Sequence, residues 1–254
     1  MCARKYLLVG LYALSCLVWL AHPRQAHGET AYVAVATNFK LVAERLATDY
    51  MQKQEDNHQV ILTSGSTGKL FTQIVNGAPF HLFLSADQAR PKKLVQSGLA
   101  VTTSQRTYVL GRLSLVGHLS VDSNTLQTTR FRALAIANPK LAPYGIAAEQ
   151  AMKHMKIYSS IQGKLVYGEN VGQAYALVAT GNAELALVAR GLVRERDKLQ
   201  SWAVPNSYHA PIRQDLVLLN KGENNQTARN FMAFILDPAN SEPITSAGLE
   251  LPAP

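Results

Sequence analysis

The chain has 254 residues, a formal net charge of +8 and two cysteines. That length suits one domain or two modest ones, with enough chain to bury a core. Hydrophobic residues at 47% against 17% charged exclude a disordered or collagen-like chain, and two cysteines exclude a disulfide scaffold or a multi-cysteine metal centre.

The charge is unevenly placed. Arg4 and Lys5 precede an apolar run from Tyr6 to Ala21, and Ala26-His27-Gly28 follows a short polar stretch. This order predicts a secretory signal peptide over residues 1–28, cleaved after Gly28. The run of 16 residues is short of the roughly 20 that span a bilayer. Leu14-Ser15-Cys16 hints at a lipoprotein site, but apolar Leu17 to Leu20 follows where such a site turns polar. Cleavage removes Cys2, Cys16 and three basic residues (Arg4, Lys5, Arg24) but no acid, leaving 22 Lys+Arg against 17 Asp+Glu, a net +5. A thiol-free chain suits an oxidising compartment.

The predicted elements alternate from there. Ala31 to Ala36 is a continuous apolar run that fits a strand buried on both faces of a parallel sheet. After Thr37-Asn38, residues Phe39, Val42, Leu46 and Tyr50 recur at helical spacing, with Leu41 widening the stripe. Gln59 to Thr63 reads as a strand, Ser64-Gly65-Ser66-Thr67-Gly68 as a turn, and Leu70, Phe71, Ile74 and Val75 as the next helix. A strand over Phe80–Leu84 and a helix over 87–96 follow. Tyr108 to Val116 predicts one long strand, able to carry the chain between domains. Then come strand 133–137, helix 144–155, strand 164–167, helix 171–180, strand 185–188, strand 214–219, helix 227–236 and a short last helix. Strand–helix alternation of this kind argues for an α/β fold with mainly parallel sheets.

Four strand-to-helix turns are rich in hydroxyl, amide or glycine groups: Thr37-Asn38, Ser64 to Gly68, Asn138 to Gly145, and Glu169 to Gly172. In open α/β sheets ligands sit beyond the carboxyl ends of the strands, where helix N-termini offer unpaired N–H groups and a partial positive charge. Converging turns would make an anion site without a full charge. Taken singly, Thr37, Asn38, Ser66 and Thr67 are ordinary helix caps. Two details favour a ligand. Lys40 and Lys69 fall in first helical turns, where a cation opposes the macrodipole and a bound anion would offset it. Three hydroxyls and two glycines within Ser64–Gly68 also exceed what one cap needs.

Enzyme signatures are missing. Gly65 to Lys69 lacks the earlier glycine of a phosphate loop and has Leu70 where Ser or Thr is required. Neither G-x-S-x-G nor H-E-x-x-H occurs. His58, His81, His118, His154 and His209 are scattered without ligand spacing. Asp87 reads as a helix cap before it reads as a catalytic acid. Asn225-Gln226-Thr227 matches a glycosylation acceptor, meaningful only on a eukaryotic secretory route. The net charge is too dispersed for a nucleic-acid patch, so no nucleic-acid partner is expected.

At the same turns the sequence resembles the molybdate-binding subfamily of periplasmic solute-binding proteins. The matching stretches are Val35 to Phe39, Ser64 to Leu70, Asn76 to Phe80 leading into Leu84 to Asp87, Asn138 to Gly145, and Asn170 to Ala174, across essentially the whole mature chain. The resemblance implies a two-lobed α/β fold of the type II periplasmic-binding-protein kind. Each lobe would be a mainly parallel sheet flanked by helices, closing over a molybdate or tungstate oxyanion. It assigns the anion to Thr37, Asn38, Ser66, Thr67, Tyr144 and the backbone N–H of Val171, with Ser64 an alternative in the second turn. Where one branch of the subfamily has a binding tyrosine, this chain has Ala189, which takes no role. The resemblance implies a periplasmic monomer that serves the membrane permease of an ABC importer. No cofactor, no directly ligated metal and no catalysis are expected. Lobe 1 is expected over 29–111 with 214–254, and lobe 2 over 112–213. A donor-only pocket excludes protonated anions, because the extra proton would lack an acceptor. Sulfate, a smaller tetrahedral dianion, remains the nearest alternative ligand, and a secreted enzyme a more distant alternative.

Overall fold

The computed structural model describes residues 28–54, 57–194 and 197–253, so the expected signal peptide falls outside it except for Gly28. The first lobe contains β1 (Thr30–Ala36), one 3₁₀ turn (Thr37–Phe39), α1 (Lys40–Gln52), β2 (Gln59–Gly65), α2 (Thr67–Val75), β3 (Leu82–Leu84), α3 (Ala89–Gln96) and β4 (Arg106–Gly111). The chain crosses at Arg112 into the second lobe. There it forms β5 (Leu113–Gly117), β6 (Leu134–Ala137), α4 (Pro143–His154), α5 (Tyr158–Ile161), β7 (Leu165–Gly168), α6 (Val171–Ala179), β8 (Leu185–Ala189) and β9 (Gln200–Ala203). It returns through 204–211 to β10 (Ile212–Leu218), α7 (Gln226–Leu236) and α8 (Glu242–Ser246).

Each lobe holds one five-stranded sheet, ordered β2-β1-β3-β10-β4 and β7-β6-β8-β5-β9. The two share one design. Three parallel strands come first, then one antiparallel strand in the fourth place: β10 between β3 and β4, and β5 between β8 and β9. In both lobes that antiparallel strand is the one that has just crossed from the other lobe. The molecule is therefore a two-lobed α/β structure of the type II kind with mainly parallel sheets.

Burial explains the elements. Val33 and Val35 face one side of the first sheet, with Phe39, Val42, Leu46 and Tyr50 of α1 and its lead-in turn; Ala34, Phe83 and Val217 face the other, with Leu70, Ile74 and Leu94. Each such large side chain contributes roughly 1.5–3 kcal/mol on burial. Leu41 does not widen the α1 stripe, being 41% exposed, and Tyr32 in β1 is also exposed, edge-on to His81. The expected strand Tyr108–Val116 is two strands in different sheets, parted at Arg112. Gly111 permits the crossing, because a Cβ there would overlap the Tyr144 hydroxyl. The third strand is confined to Leu82–Leu84, although Phe80 is buried, and β9 and α5 were not expected at all. The second lobe's core also takes in Ala36 and Ala86 of the first, so the lobes are packed against each other where β1 and β3 end. Among the described residues no helix is long and apolar enough to cross a membrane.

Candidate functional site

The carboxyl ends of β1 and β2 face those of β6 and β7 across the lobe boundary. Their following turns enclose one small cavity, lined by Ala36, Thr37, Asn38, Gly65, Ser66, Thr67 and Ala86 from the first lobe and Ala142, Pro143, Tyr144, Asn170 and Val171 from the second. All six residues expected to hold the anion line it. Ser64 does not: it lies exposed on β2, one residue before the strand's buried end. The centre of a water-sized sphere has only about 10 Å³ in the cavity. That is far below the several hundred Å³ of pockets for organic ligands. None of the lining residues carries a charge.

The polar groups are arranged as donors. Ser66, 2% exposed, caps α2: its Oγ accepts the Lys69 N–H at 3.4 Å, which leaves its own proton free. Thr67 Oγ1 accepts the Ala86 N–H at 3.3 Å with the same result. Tyr144, 1% exposed in the first turn of α4, accepts from Gln214 Nε2 at 3.3 Å. Its pKa is raised beyond the usual tyrosine range, chiefly because burial disfavours the phenolate. The phenol therefore stays protonated and can donate. Asn38 commits one amide proton to Gln214 Oε1 at 2.8 Å and retains another. Thr37 Oγ1 is buried with no partner of its own. Val171 opens α6 behind the Asn170 cap, whose Oδ1 accepts the Gln173 N–H at 3.0 Å, so the Val171 N–H is a first-turn donor. Pro143 at the first position of α4 lacks an N–H that would be unpaired there anyway.

The lysine reading does not hold, whereas Asp87 is the helix cap that its position suggested. Lys40 and Lys69 are not cations awaiting an anion: Lys40 pairs with Glu44 at 3.6 Å, and Lys69 with Glu169 of the other lobe at 3.0 Å. Asp87 caps the start of α3, taking the Arg90 N–H at 2.9 Å and pairing with the Arg90 side chain. Asn225 is likewise a cap, accepting the Ala228 N–H at 2.8 Å, and Thr227 is fully buried. Gln214 is the residue at the site that sequence reasoning missed, since it stood only as the start of a strand. No group of three or more His, Cys, Asp or Glu that could hold a metal occurs among the described residues. A larger groove of about 610 Å³ opens beside the cavity, with Arg90, Lys93, Lys140 and Arg213 on its walls. The small cavity is the better candidate site, because its polar groups converge and are buried while the groove's charges are spread out.

Two lobes meeting over a buried, uncharged, donor-lined cavity define a solute-binding protein. Residues 31–250 match the family described as bacterial extracellular solute-binding protein, and the chain belongs to that family. It is 39% identical to the molybdate-binding protein ModA of Azotobacter vinelandii over 89% of this chain and 92% of that one. It is also 39% identical to the ModA of Rhodobacter capsulatus, over 95% and 96%. The solved structure of the Azotobacter vinelandii periplasmic molybdate-binding protein superposes with a TM-score of 0.83 at 34% identity, covering 88% of this chain and all of the other.

Proposed function

We propose that this protein is exported, captures molybdate or tungstate between its lobes, and delivers the oxyanion to the membrane permease of an ABC importer. It acts by binding, not turnover. Thr37, Asn38, Ser66, Thr67, Tyr144 and the Val171 N–H hold the anion, which is cargo and not a cofactor. The observation that carries this reading is the state of the hydroxyls. Those of Ser66, Thr67 and Tyr144 each already accept one hydrogen bond from the protein and keep a proton free to offer the cavity. A fully deprotonated tetrahedral dianion can use every one of those donors, and hydrogen phosphate would leave its proton unpaired. The names of the two relatives at 39% identity support molybdate within that chemical class.

Titration calorimetry with molybdate, tungstate, sulfate and phosphate tests the proposal. Molybdate and tungstate are expected to bind, and to raise the melting temperature through RT ln(1 + [L]/Kd), about 2.7 kcal/mol at a hundredfold excess over Kd. Binding of sulfate in preference to both would transfer the protein to another oxyanion. No heat and no thermal shift with any of the four would overturn the proposal.

A further inference from the structure

Gln214 sits on β10 at the point where the register against β4 shifts between Gln214 and Asp215, an irregularity that re-aims side chains. It is fully buried. Its Oε1 accepts from Asn38 Nδ2 of the first lobe at 2.8 Å, and its Nε2 donates to Tyr144 Oη of the second at 3.3 Å. A phenol oxygen that accepts this bond keeps its own proton for another partner, and Tyr144 lines the cavity. Gly111 keeps this corner open: a Cβ there would overlap the Tyr144 hydroxyl and lie 2.7 Å from Gln214 Nε2.

Resting on the proposed oxyanion function, we infer that Gln214 is a positioning residue. It sets the direction of the chain of hydrogen bonds from Asn38 to Tyr144, so that the phenol donates to the bound anion, and it joins the two halves of the site through one side chain. Its own atoms need not touch the anion. A carboxylate in its place reverses the last link. Ionised, Gln214→Glu can only accept, so it draws the Tyr144 proton away from the cavity. Once protonated it donates again. The titratable or charged groups of the neighbouring elements are Arg106 and Tyr108 on β4, Tyr144, Glu149, Lys153 and His154 on α4, Arg213 and Asp215 on β10 itself and Arg112 at the crossing. Both tyrosines are pushed above their ordinary range by burial. Asp215 accepts from Gln88, Gln105 and Thr107.

The test is a double-mutant cycle read by molybdate calorimetry on the full mature chain, combining Gln214→Glu with Tyr144→Phe. At pH 8, Tyr144→Phe alone is expected to weaken binding about tenfold or more. In the Gln214→Glu background it is expected to weaken binding less than about threefold, because the proton has already been withdrawn. Lowering the pH from 8 to 6 should strengthen binding to Gln214→Glu while leaving the wild type level, since a buried carboxyl titrates above its ordinary value. Equal costs of Tyr144→Phe in both backgrounds, or a Gln214→Glu profile parallel to the wild type, would overturn the inference. Should Gln214→Glu not fold, the near-isosteric Gln214→Met, which removes the donor to Tyr144 without withdrawing its proton, is expected to shrink the Tyr144→Phe cost in part, and an unchanged cost would overturn the inference. Wild-type protein that binds no tetrahedral oxyanion refutes the proposed function, whereas wild-type binding with additive variants refutes only the role of Gln214.

Discussion

Thr37 holds a hydroxyl that is buried without a partner. Such a group costs about 1–3 kcal/mol in the free protein and repays it only when something accepts its proton. Thr37→Val keeps the branched shape and removes the hydroxyl. The ligand-free melting temperature is therefore expected to stay level or rise, while molybdate affinity falls roughly five- to a hundredfold by calorimetry. A lower melting temperature with intact affinity would make Thr37 a structural residue. At this scale much was legible. Ser66 and Thr67 stood out as more hydroxyls than a cap requires, and the geometry uses one lone pair of each for capping or for Ala86, with the proton left over. The lysine argument read a local conflict from neighbours in sequence, but Lys69 resolves it 100 residues away, on Glu169. Gln214 was illegible for the same reason. Its partners lie 176 and 70 residues off, and nothing around it in the chain distinguishes it from any other strand glutamine.

The helices that bear the site begin beyond the carboxyl ends of their strands. At the opposite end of the second lobe's sheet, two strands are tied together electrostatically. Glu184, just before β8, accepts from Arg132 Nε at 2.7 Å and from the backbone N–H groups of Arg132 and Ala133 at 2.7 and 2.8 Å, tying the starts of β6 and β8 together. The Arg132 side-chain hydrogen bond, with the Ala133 N–H next, holds the Glu184 pKa down to about 2. The folded value lies below the unfolded one, near 4.3. The stabilisation is thus complete above the unfolded value and fades as pH falls through about 2. Glu184→Gln should flatten the decline of the urea midpoint between about pH 4.5 and 2, by an amount that solvent screening keeps small. Parallel profiles for wild type and variant would refute this. Alternating apolar runs and caps made most elements legible to within two residues. The exceptions follow from weak local signals. Gln200–Ala203 is a mostly exposed edge strand with only Trp202 packed on the core, so β9 leaves little pattern to read. The run Tyr108–Val116 is apolar on both sides of Arg112 because two separate sheets demand it, and hydrophobicity does not record where a chain changes sheets.

Closure is a property of the whole molecule, and it joins the lobes through the Gln214–Tyr144 bond, the core shared with Ala36 and Ala86, and two contacts nearer the surface. The Gly68 N–H donates to Leu141 O at 2.8 Å, and Lys69 meets Glu169 through side chains that are 53% and 36% exposed. An exposed pair of this kind contributes about 0–1 kcal/mol, so Lys69–Glu169 adds little to closure beside an anion that bonds to both lobes. Gly172 lies at a close approach between the lobes. A Cβ on it would stand 2.5 Å from Thr37 Cγ2, a short and stiff side chain of the other lobe that also lines the cavity. Gly172→Ala should therefore hold the lobes apart at the site while improving the second position of α6, where alanine favours helix over glycine by up to about 1 kcal/mol. The two effects have opposite signs and separate readouts. The ligand-free melting temperature should be equal or higher. The rise produced by saturating molybdate should shrink, and dissociation should be faster by stopped-flow, because a ligand stabilises only to the extent that it prefers the closed arrangement. Unchanged affinity in Gly172→Ala would mean that the anion is bound without the close approach of Thr37 to α6. The site would then have to be rebuilt from the first lobe alone.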